Sequence, residues 1–138
     1  MEHGGVRRLP DKAMNALLQK LKNKTVLLIG GPNDKTYYNH FTADKIINTA
    51  GLFSLEESAC LLRRAHHVYS TDSGPMHLAA AMKTPMTCFF GPTNPKRKAP
   101  LLPDVKIIWK DQLQYDEQYE LYGKKPTGKF FVHVEDDL

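Results

Sequence analysis

The run Thr71-Asp72-Ser73-Gly74-Pro75-Met76-His77-Leu78-Ala79-Ala80-Ala81 holds the densest set of groups in this chain that could do chemistry. It reads as a polar turn that ends an apolar strand and opens directly into a helix. The first N–H groups of a helix have no partner within it, and they sit at the positive end of the macrodipole. Such a terminus is a ready seat for a phosphate. Gly74 lets the backbone come close, and Pro75 suits the first helical turn, where a missing N–H costs nothing. Asp72 or Ser73 can cap the helix, and His77 turns a donor back toward the same spot. The pattern predicts an anion site.

The elements that must position this site read as an alternation of helix and strand. Pro10 precedes a helix over Asp11 to Lys22, with Ala13, Ala16, Leu17, Leu18 and Leu21 at helical spacing. Thr25 to Ile29 is a continuous apolar run, which predicts a strand covered on both faces. Gly30-Gly31-Pro32-Asn33-Asp34 breaks it. A polar, aromatic-bearing helix is expected from about Lys35 to Asn48, ending near Gly51. Ser54-Leu55-Glu56-Glu57 has the form of a capping box and opens a helix to about Ala65. Strands follow at His67 to Thr71, Met86 to Phe90 and Val105 to Trp109, with the helix Pro75 to Met82 between the first two. This alternation predicts parallel pairing and right-handed crossovers. The expected fold is α/β: a Rossmann-like open parallel sheet with helices on both faces. Ligands of such sheets bind beyond the carboxyl ends of the strands. The turns Gly30 to Asp34, Thr71 to His77 and Gly91 to Asn94 should therefore converge there.

Composition narrows the class. The chain has 138 residues, 41% hydrophobic and 25% charged, which suits one globular domain. The expected division is a Rossmann-like domain over 1–109 and a C-terminal extension over 110–138 packed on it. No apolar run is long enough to cross a bilayer, and the N-terminus lacks the apolar core of a signal peptide, so a cytoplasmic location is expected. Net charge is +4 and the pI about 9.0. That suits an anionic ligand or membrane surface, while nucleic acid is not expected, because no aromatic-basic stripe is present. Cys60 and Cys88 read as two buried thiols with no disulfide or zinc spacing. His66 and His67 would point to opposite faces of a strand and do not form a metal pair. The Gly30-Gly31-Pro32 turn lacks the Gly-Lys-Ser/Thr ending of a P-loop.

The Thr71–Ala81 run, followed after one strand by Phe90-Gly91-Pro92-Thr93-Asn94-Pro95, closely resembles the family-nine glycosyltransferases, the ADP-heptose:lipopolysaccharide heptosyltransferases and their relatives. Leu28-Ile29-Gly30-Gly31-Pro32 and Phe53-Ser54-Leu55-Glu56-Glu57 resemble two further segments of that family. The resemblance covers roughly residues 7 to 109. It implies the C-terminal, donor-binding half of a two-domain GT-B enzyme, without the N-terminal acceptor-binding half and its catalytic carboxylate. The chain would then be an excised donor domain, a truncated product or one part of a split enzyme.

The resemblance also implies roles. Asp72 would contact the donor sugar. Ser73, Gly74, Met76 and His77 would surround the diphosphate, joined by Arg7 and by Thr93 from the neighbouring strand end. Asp34 would accept from the ribose hydroxyls, and Phe53 would lie beside the nucleobase. An ADP-sugar is the implied substrate, with no cofactor and no metal, and the complete enzyme could associate peripherally with the membrane. Three departures stand out. Asn94 replaces the more usual Asp, the tail after Trp109 lacks a cysteine-containing pattern, and the family's last helix has no clear counterpart. Two other functions compete: a non-catalytic nucleotide-binding or interaction module, and a sugar-nucleotide epimerase-like domain. The second fits less well, because Pro75-Met76-His77-Leu78 stands where those enzymes continue with Gly and an acidic helix start.

Overall fold

A computed structural model describes residues 8–91, 94–109 and 137–138, with only the backbone of Arg97 and Lys98. The chain runs α1 (Asp11–Lys20), β1 (Val26–Leu28), a 3-10 turn (Pro32–Asp34), α2 (Lys35–Asn39) and β2 (Ile46–Asn48). It continues through α3 (Leu55–Arg64), β3 (Val68–Thr71), α4 (Gly74–Ala81), β4 (Met86–Phe89), α5 (Pro95–Lys98) and β5 (Val105–Ile108). All strand pairs are parallel. β1 pairs with β2 in register Val26↔Ile46, and β3, β4 and β5 pair in the order Val68↔Met86↔Val105. The fold is therefore α/β with parallel strands, as the alternation predicts. Hydrogen bonding divides the described strands into a two-stranded and a three-stranded sheet, ordered β1-β2 and β3-β4-β5.

The side-chain alternation of every strand serves two shared cores. One face carries Val26, Leu28, Tyr69, Phe89 and Ile108 against α1 (Ala13, Met14, Leu17) and the α2 region (Tyr38, Phe41). The other carries Ile29, Val68, Met86, Cys88 and Phe90 against α3 (Leu62) and α4 (Met76, Ala79). Helices α1 and α2 thus lie on one face and α3 and α4 on the other, so the sheet is doubly wound. The C-terminal end of α1, at Lys20, lies beside His67 and Asp104 at the start of β3 and β5. Six residues later the chain enters β1. Both sheets therefore point the same way, and the described turns that follow β1, β2 and β3 open on one rim.

Three local expectations change. The helix expected over Lys35 to Asn48 stops at Asn39, because Ile46-Ile47 pairs with Val26-Leu27 as β2. β-branched side chains lose rotamer freedom in a helix and fit a strand, and here the tertiary partner decides. The strand Thr25 to Ile29 is not covered on both faces, since Leu27 is 39% exposed beside the exposed Ile47. Cys60 is exposed on α3, and only Cys88 is buried. The residues 110–136 lie outside the described ones. Asp137 accepts from Lys106 Nζ at 2.9 Å, and Leu138 packs on the first core.

Candidate functional site

The turn after β3 builds the start of α4 as the sequence suggests, with one difference. Ser73 is the N-cap residue in extended conformation (φ −160°), but its side chain makes no capping bond. Its hydroxyl instead donates to Thr71 O at 3.1 Å and lies 3.3 Å from Ser70 Oγ. Capping by Ser73 is therefore not what the fold uses, because its hydroxyl is engaged with the strand end at Thr71 O. Pro75 brings no N–H, and the His77 N–H reaches Ser73 O at 3.4 Å. The N–H groups of Gly74 and Met76 are left without a protein acceptor among the described residues, at the positive end of an eight-residue helix.

The side chains around this terminus divide by burial. Met76 is fully buried in the second core, so only its backbone can meet a ligand. Asp72 is nearly buried. His77 stands out into solvent, with its Nε2 3.9 Å from Asp72 Oδ1. Behind them Cys88 has its thiol pKa pushed up to about 12 by burial and then by the Asp72 charge. It stays protonated and is no nucleophile.

A second group gathers at the turn after β1. Asp34 is 2% exposed. Its Oδ2 accepts the Gly31 N–H at 3.2 Å, and its Oδ1 lies 3.4 Å from Arg8 Nη2. The Arg8 guanidinium also stacks 4.3 Å over the Tyr37 ring. Burial raises the pKa of both neighbouring phenols, Tyr37 to about 12 and Tyr38 further still. Their hydroxyls donate to Leu9 O and Ile29 O. They fix the two chain segments to each other and hold their protons at neutral pH.

Two glycines at this rim are not required by the protein itself. A Cβ placed on Gly31 or on Gly74 would meet nothing within 4 Å. Gly31 has an ordinary φ of −78° and Gly74 lies in a helix. Neither backbone strain nor close packing excludes a side chain, so both positions are open to a molecule approaching from outside. Gly30 and Gly51 differ. A Cβ at Gly30 would sit 2.5 Å from Asp34 Oδ2, and Gly51 has φ +74° with Pro32 Cα 3.1 Å away.

The structure thus brings together Asp72, Ser73, Gly74, Met76 and His77 at one helix start, and places Asp34 in the turn beside Gly31. Phe53, partly exposed, follows β2 on the same rim. Gly91 follows β4, where its carbonyl accepts from Trp109 Nε1 at 3.2 Å. Asn94 caps α5 through the Lys96 N–H at 2.9 Å, which accounts for an Asx residue there. Arg7 and Thr93 lie outside the described residues. Sequence reasoning missed Arg8. The Arg7-Arg8 doublet was the available signal, but the pairing with Asp34 joins residues far apart in the chain.

The family model for glycosyltransferase family 9 (heptosyltransferase) matches residues 6–125. The chain is 29% identical over 116 residues to lipopolysaccharide heptosyltransferase 2 of Salmonella typhimurium, covering 78% of this chain and 33% of that protein. It is 39% identical over 62 residues to lipooligosaccharide heptosyltransferase 2 of Haemophilus influenzae, covering 45% of this chain and 18% of that one. The solved structure of the Escherichia coli ADP-heptose lipopolysaccharide heptosyltransferase II superposes with TM-score 0.68 at 27% identity, over 78% of this chain and 35% of that one. A family 9 glycosyltransferase structure from Veillonella parvula has the same fold, with TM-score 0.68 at 23% identity, over 75% of this chain and 31% of that one. The chain spans about a third or less of the length of these relatives. With the motif runs, the doubly wound fold and these matches in agreement, the chain belongs to glycosyltransferase family 9, the heptosyltransferase family.

Proposed function

We propose that this chain is the nucleotide-sugar donor-binding unit of an inverting, metal-independent transferase of lipopolysaccharide or related surface-glycan synthesis, with ADP-heptose as the donor. The observation that carries the reading is the start of α4. Two N–H groups without an acceptor among the described residues stand beside Gly74, with Asp72 and His77 at the same point. Such a terminus stabilises a diphosphate in the ground state and, more strongly, the charge that grows on the leaving nucleotide as the glycosidic bond breaks. Asp72 is suited to hold a sugar hydroxyl, and His77 to donate to a phosphate oxygen. In the complete enzyme a carboxylate of the acceptor-binding half would take the proton of the attacking hydroxyl. Arg7, Thr93, Asp34 and Phe53 are proposed to complete the grip on phosphates, ribose and base. The enzyme would work at the cytoplasmic side, where its nucleotide-sugar substrate is made. Among the described residues no helix is long and apolar enough to cross a membrane.

Calorimetry with ADP tests this. Binding to the native chain and its loss in the Asp72→Ala, His77→Ala double variant are the expected results. Absence of binding to the native chain, or unchanged binding in the variant, rejects the reading. A second reading is a nucleotide-binding or interaction module that binds without transfer. Transferase activity that appears when an acceptor-binding half is supplied separately would exclude it.

A further inference from the structure

The start of α4 offers a diphosphate little full positive charge. A helix end carries roughly half an elementary charge, and the Asp72 carboxylate stands beside it. The run from Thr71 to Leu78 contains no lysine or arginine. Fixed charge of that size does not balance a multiply charged anion that leaves water, so a full cation is needed from another element of the rim.

Arg8 is placed to supply it. Its Nη2 lies 3.4 Å from Asp34 Oδ1 in the turn after β1, so the guanidinium sits at the carboxyl-end rim. Strand order reverses between β1 and β3, and ligands of such sheets bind in the crevice at that point. α1, which Arg8 precedes, packs on one face of the strands, and α4 packs on the other. Arg8 and the start of α4 therefore flank the same crevice. The guanidinium is also short of acceptors. It carries several N–H donors in a fixed fork. Among the described residues only Nη2 has a partner, at a long distance, and Nε is buried with none. An ion pair built for stability alone would meet the carboxylate fork to fork. Here one carboxylate oxygen is turned to the Gly31 N–H instead, at 3.2 Å.

We propose that Arg8 is an anion ligand of the donor site, binding the diphosphate of a nucleotide across the crevice from the start of α4, with Asp34 and Tyr37 as positioning residues that aim it. The proposal rests on the donor-binding reading above and adds the full cation which that reading lacks among the described residues at α4. Two contacts set the direction of the guanidinium: the Asp34 carboxylate and the Tyr37 ring, 4.3 Å beneath it. Both are themselves fixed. The Tyr37 hydroxyl donates to Leu9 O at 3.0 Å, and Asp34 Oδ2 fills the space a Cβ on Gly30 would need. Asp34 is 2% exposed, so it acts on a ligand through Arg8 and the Gly31 turn. A cation held by its neighbours and left with spare donors is preorganised for phosphate, and it costs little ordering when the ligand arrives.

Calorimetry with ADP on the full 138-residue chain tests this, with melting temperatures showing that each variant is folded. Arg8→Met keeps an apolar contact with Tyr37 and removes the charge. It should weaken ADP binding by about tenfold or more, the usual strength of a charge-assisted bond. Arg8→Gln should do the same, so the result does not hang on one variant folding. Arg8→Lys keeps the charge without the fork and should fall between these variants and the native chain. Asp34→Asn removes the charge that aims Arg8 and should weaken ADP by less than Arg8→Met does. Added salt should weaken ADP more in the native chain than in Arg8→Met, a difference that an arginine serving the fold alone would not produce. The proposal is overturned, with the donor reading left standing, if both neutral variants bind ADP within about twofold of the native chain. It is equally overturned if Arg8→Lys binds as weakly as they do, or if salt acts alike on the native chain and the neutral variants. Absence of ADP binding to the native chain overturns the donor reading and this proposal together.

Discussion

Arg8 and Asp34, 26 residues apart, face each other at 3.4 Å and hold the entry of α1 against the turn that follows β1. The carboxylate is buried and the guanidinium partly exposed, so the pair is shielded on one side only. Removing the buried partner costs more than removing the exposed one, because Asp34 also accepts the Gly31 N–H. Asp34→Ala should lower stability by about 2–3 kcal/mol, and Arg8→Met by less, since the methionine keeps the contact with Tyr37. Urea unfolding of the two variants measures the difference.

The four rim glycines should separate cleanly. Gly31→Ala and Gly74→Ala meet open space in ordinary backbone conformations and should leave stability within about 0.5 kcal/mol of native or slightly raise it. Both should weaken ADP binding, because the new methyl occupies the approach to the N–H groups. Gly30→Ala and Gly51→Ala should each destabilise by about 1–2 kcal/mol, the first through the Asp34 carboxylate and the second through its φ of +74°. Thermal melts and calorimetry on the same four variants distinguish the two classes.

His67 gives the fold an acid-sensitive contact. Burial, and then the charge of Lys20, lower its pKa, so the folded state prefers the neutral ring. Its Nε2 lies 2.9 Å from Thr87 Oγ1. Stability from this group is present above the unfolded value of about 6.5 and is lost as pH falls through the lower folded value. The melting temperature of the native chain should drop more steeply below that pH than the melting temperature of His67→Gln.

At the start of α3 the Glu57 N–H donates to Ser54 Oγ at 3.1 Å, and the Ser54 N–H donates to Glu57 Oε1 at 3.0 Å. Ser54→Ala should cost about 1 kcal/mol. The hydrogen bonds to Ser54 hold the Glu57 carboxyl below its ordinary pKa. The box therefore contributes above about pH 4.3, the ordinary glutamate value, and fades as Glu57 is protonated below it. Denaturation midpoints at neutral and acid pH should show the gap between native and variant closing.

Much of this architecture is written locally. The capping box at Ser54, the apolar strands at Val68, Met86 and Val105 and the Gly-Pro start of α4 depend on residues a few positions apart. Backbone sterics and hydrogen bonds act at that range, so the α/β class and the helix terminus of the candidate site are legible from the chain alone. What tertiary structure decided depends on partners distant in sequence. Ile46-Ile47 became a strand because Val26-Leu27 lay ready to pair with it, and Ser73 turned its hydroxyl to Thr71 once Ser70 and β3 were in place. Arg8 came to lie beside Asp34 only when α1 had packed on β1. Strand order is the extreme case: no single residue announces it, because it is a property of the assembled layers.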